Sequence, residues 1–122
     1  MKKFGVSFFG LAFIIIGIVH FVSPDTFVGI IPTIWPAREM LNILAGIAEV
    51  SLGLLFLVQR TRALAGYGLC LMLVSFWFLH GVHLFYPPSD KLPFWGYFIR
   101  FLLQPVLIYL VWKLKDFNQK PV

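Results

Sequence analysis

Four long apolar runs, Phe4–Val22, Met40–Val58, Ala63–Tyr86 and Phe94–Leu114, divide almost the whole chain between them. Each holds 19–24 residues, enough at about 1.5 Å per helical residue to cross roughly 30 Å of hydrocarbon. A chain of 122 residues, 60% hydrophobic and 12% charged, has too little interior to hide these runs in water, because small soluble domains keep much of their surface wet. With lipid as the solvent, each run must satisfy its own backbone polar groups, and a helix does so within the segment. The expected fold is therefore an all-α membrane protein, an antiparallel bundle of four transmembrane helices forming one domain over residues 1–122. No internal repeat and no soluble domain interrupts it.

The positive charges orient such a bundle. Lys2 and Lys3 precede the first run, Arg60 and Arg62 separate the second from the third, and Lys113, Lys115 and Lys120 follow the fourth. Only Arg38 and Lys91 lie on the other side. The positive-inside rule then predicts N-in, C-in, with the Gln59–Arg62 loop on the same side as both termini. The net charge of +5 is read as this topology signal, and no nucleic-acid partner is expected. Met1–Lys3 ahead of an apolar run resembles a signal peptide, but His20-Phe21-Val22-Ser23-Pro24 contains no small-residue cleavage site, so a retained helix is expected. The single cysteine, Cys70, lies within an apolar run and reads as a small buried side chain.

The two outward connections differ. Ser23–Glu39 carries Pro24, Pro32 and Pro36 together with Phe27, Ile30, Ile31, Ile34 and Trp35, which predicts a short interfacial element with Trp35 at headgroup depth. The Tyr86–Pro93 connection reads as a rigid exposed loop.

Polar residues inside the apolar runs carry the functional signal. Glu49 stands near the middle of the second run, where a carboxylate costs about 2.5–3.5 kcal/mol on insertion scales and needs a partner or a task. Asn42, Gly46, Glu49 and Gly53 share one helical face; Gly10, Gly17 and His20 share another; His80 and His83, and then Arg100 and Gln104, mark the third and fourth helices. Counted from the outer helix ends, His20, Asn42 and His83 fall about 3 Å deep, His80 and Arg100 about 8–9 Å, and Glu49 and Gln104 about 14–15 Å. These seven residues define a predicted polar cluster in the outer half of the bundle. Arg100 is the expected counter-ion of Glu49, with Gln104 completing its hydrogen bonds and Pro105 introducing a mild kink beside it. His80 and His83 with Glu49 and His20 have the residue types of a metal set, but the neighbouring Arg100 would repel a cation, so no metal is expected.

Several stretches resemble the DoxX-like family of small membrane proteins. They are Gly17-Ile18-Val19-His20-Phe21 with Pro24 and Phe27, Ile31-Pro32 and Trp35-Pro36, Ala45-Gly46-Ile47-Ala48-Glu49-Val50 through Leu52-Gly53, the Arg60-Thr61-Arg62 turn, and Arg100-Phe101-Leu102-Leu103-Gln104-Pro105. The likeness covers all four runs and departs at Leu102, where relatives often carry proline. It implies a four-helix bundle in the bacterial cytoplasmic membrane, with some relatives serving thiosulfate:quinone oxidoreductase and others linked to oxidative-stress proteins. A looser likeness to methylamine-utilisation proteins and to vitamin K epoxide reductase-like bundles is also present, although the lack of paired cysteines excludes the chemistry of the latter.

No nucleophile–base pairing and no phosphate loop stands out in the sequence. The expectation is an accessory membrane subunit of a quinone-linked or oxidative-stress redox assembly, rather than a self-sufficient oxidoreductase. Its ligand would be a quinone, and its partners would be lipid, a membrane or peripheral redox protein, and a second copy of itself. The alternatives are a small-solute or proton transporter module, in which Glu49 titrates, and a purely structural scaffold.

Overall fold

The computed structural model describes residues 1–25, 35–87 and 93–118. These form four helices, α1 (Lys2–Val22), α2 (Arg38–Leu57), α3 (Arg62–Phe85) and α4 (Phe94–Leu114). All four are long and apolar enough to cross a membrane. Their bounds lie within two residues of the apolar runs, because proline and polar residues end the helices where the hydrocarbon pattern ends. Ahead of Pro24, the Ser23 N–H closes α1 on the Val19 carbonyl at 2.8 Å; ahead of Pro87, the Tyr86 N–H closes α3 on Val82 at 2.9 Å. Pro93 precedes α4, where a missing N–H costs nothing. Helix α4 continues through Pro105 without a break in its assignment. Residues 26–34 of the first outward connection and residues 88–92 of the second lie outside the described residues, and so do the elements expected there.

Glycines set the tightest helix contact. The buried stripe of α1 contains Gly10 and Gly17, and that of α2 contains Gly46 and Gly53. A Cβ at Gly17 would lie 2.9 Å from both the Gly46 carbonyl oxygen and the Val50 amide nitrogen, and one at Gly53 would lie 2.8 Å from the Gly10 oxygen. The two backbones therefore touch, as small residues commonly permit in lipid. Contacts run in reverse order along the α1–α2 and α3–α4 pairs. Gly10 meets Gly53 while Gly17 meets Gly46, and Cys70 faces Ile108 while His83 faces Tyr97.

The helices pack in the ring order α1, α2, α3, α4. The α1–α2 and α3–α4 pairs are extensive, α2–α3 is intermediate and α4–α1 is slight. This uneven packing gives the bundle two different ends. At the end holding the start of α1, the end of α4 and the Gln59–Thr61 turn, the sides close over a core of Val6, Phe9, Phe13, Phe56, Leu69, Leu73, Val111 and Leu114. Cys70 is buried in that core, as its apolar surroundings predicted.

That end is also locked by two basic residues. The buried Arg62 guanidinium donates to the carbonyls of Phe56 (2.9 Å), Leu57 (3.1 Å) and Phe117 (2.8 Å). Phe56 and Leu57 belong to the last turn of α2, whose carbonyls have no helical donor. Lys115 is also buried, packed on Gly66, with its ammonium 4.3 Å from the Trp112 ring and 4.6 Å from the Tyr67 ring. Its 2.6 Å hydrogen bond to Asp116 holds the ammonium above its usual pKa. Most of the remaining apolar side chains, such as Leu64, Leu71, Phe78 and Phe85, point outward.

Candidate functional site

At the opposite end the two helix pairs part around a cavity of about 570 Å³. Its floor and walls are apolar, built from Phe8, Phe9, Phe13, Leu73, Leu79 and Leu107. Six of the seven predicted polar residues face it: His20 from α1, Asn42 and Glu49 from α2, His80 from α3, and Arg100 and Gln104 from α4. His83 does not. It is buried between α3 and α4, with its ring centroid 6.2 Å from that of Tyr97 and 5.8 Å from that of His80. Three residues of helix turn it about 60° away from His80, which is enough to leave the cavity wall. Tyr97 is likewise buried beside it. Trp35 joins the cavity lining, although the sequence suggested only a headgroup anchor.

The partner of Glu49 is His20, not Arg100. His20 Nε2 lies 3.4 Å from Glu49 Oε1, and no ion pair joins Glu49 to Arg100 among the described residues. The ring order explains the difference. Helices α2 and α4 stand diagonally across the cavity, while the glycine contact draws α1 against α2 so that His20 reaches the carboxylate directly. Gln104 likewise does not complete the carboxylate's bonding. Its Oε1, His80 Nδ1 and Glu49 Oε2 are buried without a hydrogen-bond partner. Such atoms are uncommon in folded interiors and point to a ligand or water. Among the described residues no group of three or more His, Cys, Asp or Glu can hold a metal ion.

Asn42 organises the pair. Its Nδ2 donates to the His20 carbonyl at 2.9 Å, which orients the amide and leaves Oδ1 as an acceptor 2.7 Å from His20 Nδ1. The imidazole is thereby held against α2 at two points. Replacing Asn42 with leucine removes both contacts and strands a buried ring nitrogen and a carbonyl. The expected cost is about 2–4 kcal/mol, read as a lower SDS unfolding midpoint of the purified protein.

A four-helix protein whose helices are long and apolar enough to cross a membrane, with an apolar cavity carrying a few polar groups at one end, is the class that fold and site define. Within that class the chain belongs to the family described as Domain of unknown function (DUF8561), whose model matches residues 9–115. This corrects the DoxX-like resemblance, since the family that matches is not a DoxX family. The residues that carried the resemblance have local explanations. Gly17, Gly46 and Gly53 are required by helix contact, and Pro24 marks a helix end, features that unrelated membrane bundles reach independently. No curated protein and no solved structure matches the chain.

Proposed function

We propose that this protein is an accessory membrane subunit that holds a quinone-type amphiphile in the cavity and serves a quinone-linked redox partner. It would cross the cytoplasmic membrane four times as an antiparallel bundle, with both termini inside and the cavity in the outer half. The orientation is supported by the basic residues gathered at the end holding the termini.

The observation that carries the ligand reading is the two-level polar lining of an otherwise apolar cavity. Arg100 and Gln104 stand four residues apart on α4, about 6 Å along the axis. His80 and Glu49, like Gln104, each present a buried atom without a protein partner. A flat head with an oxygen at each end can engage both levels while its tail lies along Phe8, Phe13 and Leu107. Pockets that take small amphiphiles combine apolar walls with a few convergent polar groups in this way.

Purification in mild detergent followed by solvent extraction tests the reading. Retained quinone, reduced by about tenfold or more in a Gln104→Leu, Arg100→Gln double variant, is the expected result. Retention of neither a quinone nor a redox protein, together with refusal of added quinone, would overturn it.

A further inference from the structure

The Asn42–His20–Glu49 chain and Arg100 together give the cavity a charge balance that links a proton to an anion. Because Asn42 Nδ2 donates to the His20 carbonyl, Asn42 Oδ1 accepts, and His20 Nδ1 must carry a hydrogen. A neutral imidazole protonated at Nδ1 turns a lone pair toward Glu49 at Nε2. An ionised carboxylate is acceptor-only, so two lone pairs would then face each other across 3.4 Å in a buried setting. One proton between Nε2 and Oε1 resolves this, whichever atom formally holds it. The pair so loaded is electrically neutral, the state that a low-dielectric interior favours.

Among the described residues, the charged or titratable side chains facing the cavity are His20 on α1, Glu49 on α2, His80 on α3 and Arg100 on α4. With His80 counted as the neutral imidazole and the His20–Glu49 pair loaded, Arg100 supplies the one net charge. It makes no hydrogen bond and no ion pair among the described residues. When the proton leaves, the Glu49 carboxylate becomes the counter-charge of Arg100 and competes with any incoming anion.

We infer that the cavity binds its ligand's head as a monoanion at Arg100 while one proton resides on the His20–Glu49 pair. This deepens the quinone reading and rests on it: the ligand class becomes a quinone or quinol with an ionisable hydroxyl. Where the pair has lost its proton, a head arriving protonated refills it: the ligand O–H bond breaks and its proton bonds to Glu49 or His20. The electron pair stays on the ligand oxygen beside the Arg100 guanidinium, and nothing is oxidised or reduced. A head arriving ionised binds beside a pair that already holds its proton or, where the proton has been lost, takes one from water. Glu49 Oε2, buried and without a protein partner, is the atom through which the pair meets the ligand.

A 3-alkyl-2-hydroxy-1,4-naphthoquinone, whose anion and neutral forms absorb differently, tests this on the full-length protein in detergent. The 2-methoxy analogue, which cannot ionise, serves as comparison. The bound hydroxy probe is expected to show the anion spectrum. At pH values where the unbound probe is already fully ionised, its affinity should stay level while the free protein's pair keeps its proton and then fall about tenfold per pH unit once that proton is lost, the signature of one linked proton. Glu49→Gln should flatten that dependence, because the competing carboxylate and its proton are both gone, while Glu49→Asp should keep it. Arg100→Gln should weaken the anion about tenfold or more, with Arg100→Lys retaining it. A bound probe with the neutral spectrum, or a wild-type pH profile no different from that of Glu49→Gln, would overturn the proton–anion linkage while leaving the quinone reading in place. Failure of both the hydroxy probe and the methoxy analogue to bind would overturn the quinone reading and this inference with it.

Discussion

Replacing Gly17 with valine is expected to abolish the four-helix fold, with the protein recovered as aggregate from detergent extracts. The reason is what a side chain would meet. At Gly17 the first added carbon falls 2.6 Å from a Val50 methyl and 2.9 Å from backbone atoms of Gly46 and Val50. Backbone cannot step aside without separating α1 from α2, the most extensive pairing in the molecule. Overpacking a close contact typically costs about 1–3 kcal/mol and more where backbone must move. Separating these two helices also breaks the His20 contacts to Asn42 and Glu49. The effect depends on the obstacle and not merely on glycine. At Gly68 the nearest atom is a Leu52 methyl at 2.8 Å, the movable end of a flexible side chain; at Gly81 the nearest is Phe101 at 3.4 Å. Gly68→Ala is expected to shift the unfolding midpoint slightly. Gly81→Ala should leave it unchanged or raise it, given alanine's helix preference of about 1 kcal/mol over glycine. Size-exclusion profiles of the three variants check the order; a monodisperse Gly17→Val protein with a wild-type midpoint would refute the close contact.

The second large effect is at Arg62. Arg62→Met keeps the length of the stem but leaves the carbonyls of Phe56, Leu57 and Phe117 without their donors. The expected loss is about 3–5 kcal/mol, given roughly 1.5–3 kcal/mol for a hydrogen bond to a charged donor and the further cost of stranded buried acceptors. Lysine is no substitute, because a point-charge ammonium cannot span carbonyls that a planar guanidinium reaches from three nitrogens. Arg62→Lys should therefore fall nearer to Arg62→Met than to wild type. Arg60, two residues away and exposed, provides the contrast: Arg60→Ala should stay within about 0.5 kcal/mol. Unfolding titrations in mixed micelles separate these outcomes, and equal losses at Arg60 and Arg62 would count against the carbonyl clasp.

Arg62 also shows where reading residues in isolation stops. In the sequence it is one of several basic residues that orient the helices, indistinguishable from Arg60. Only the fold shows that one of them turns inward to finish α2. The polar cluster divides in the same way. Asn42, Glu49, His80, Arg100 and Gln104 were legible because polar groups are expensive inside apolar runs and because helical periodicity assigns each a face and a depth. Their partners were not legible. Charge alone pairs Glu49 with Arg100, but in the ring order of the helices these two stand diagonally opposite, and the neutral-looking His20 takes the place. His83 lies a turn of about 60° from His80 and is buried against Tyr97 rather than on the cavity wall, a difference of face that a three-residue offset alone does not reveal.

Four helices, their extents to within two residues, and the side chains too polar for an apolar surrounding all follow from the order of residues alone. Hydrocarbon imposes those requirements on each segment separately, so no knowledge of neighbours is needed. The tertiary structure alone decided that the bundle closes at one end and opens into a cavity at the other. It also decided that Glu49 meets His20 and that Arg100 is left facing the cavity. Those outcomes depend on how near two particular backbones come, and that distance is set by glycines in contact across α1 and α2, a property of the pair that neither helix carries alone.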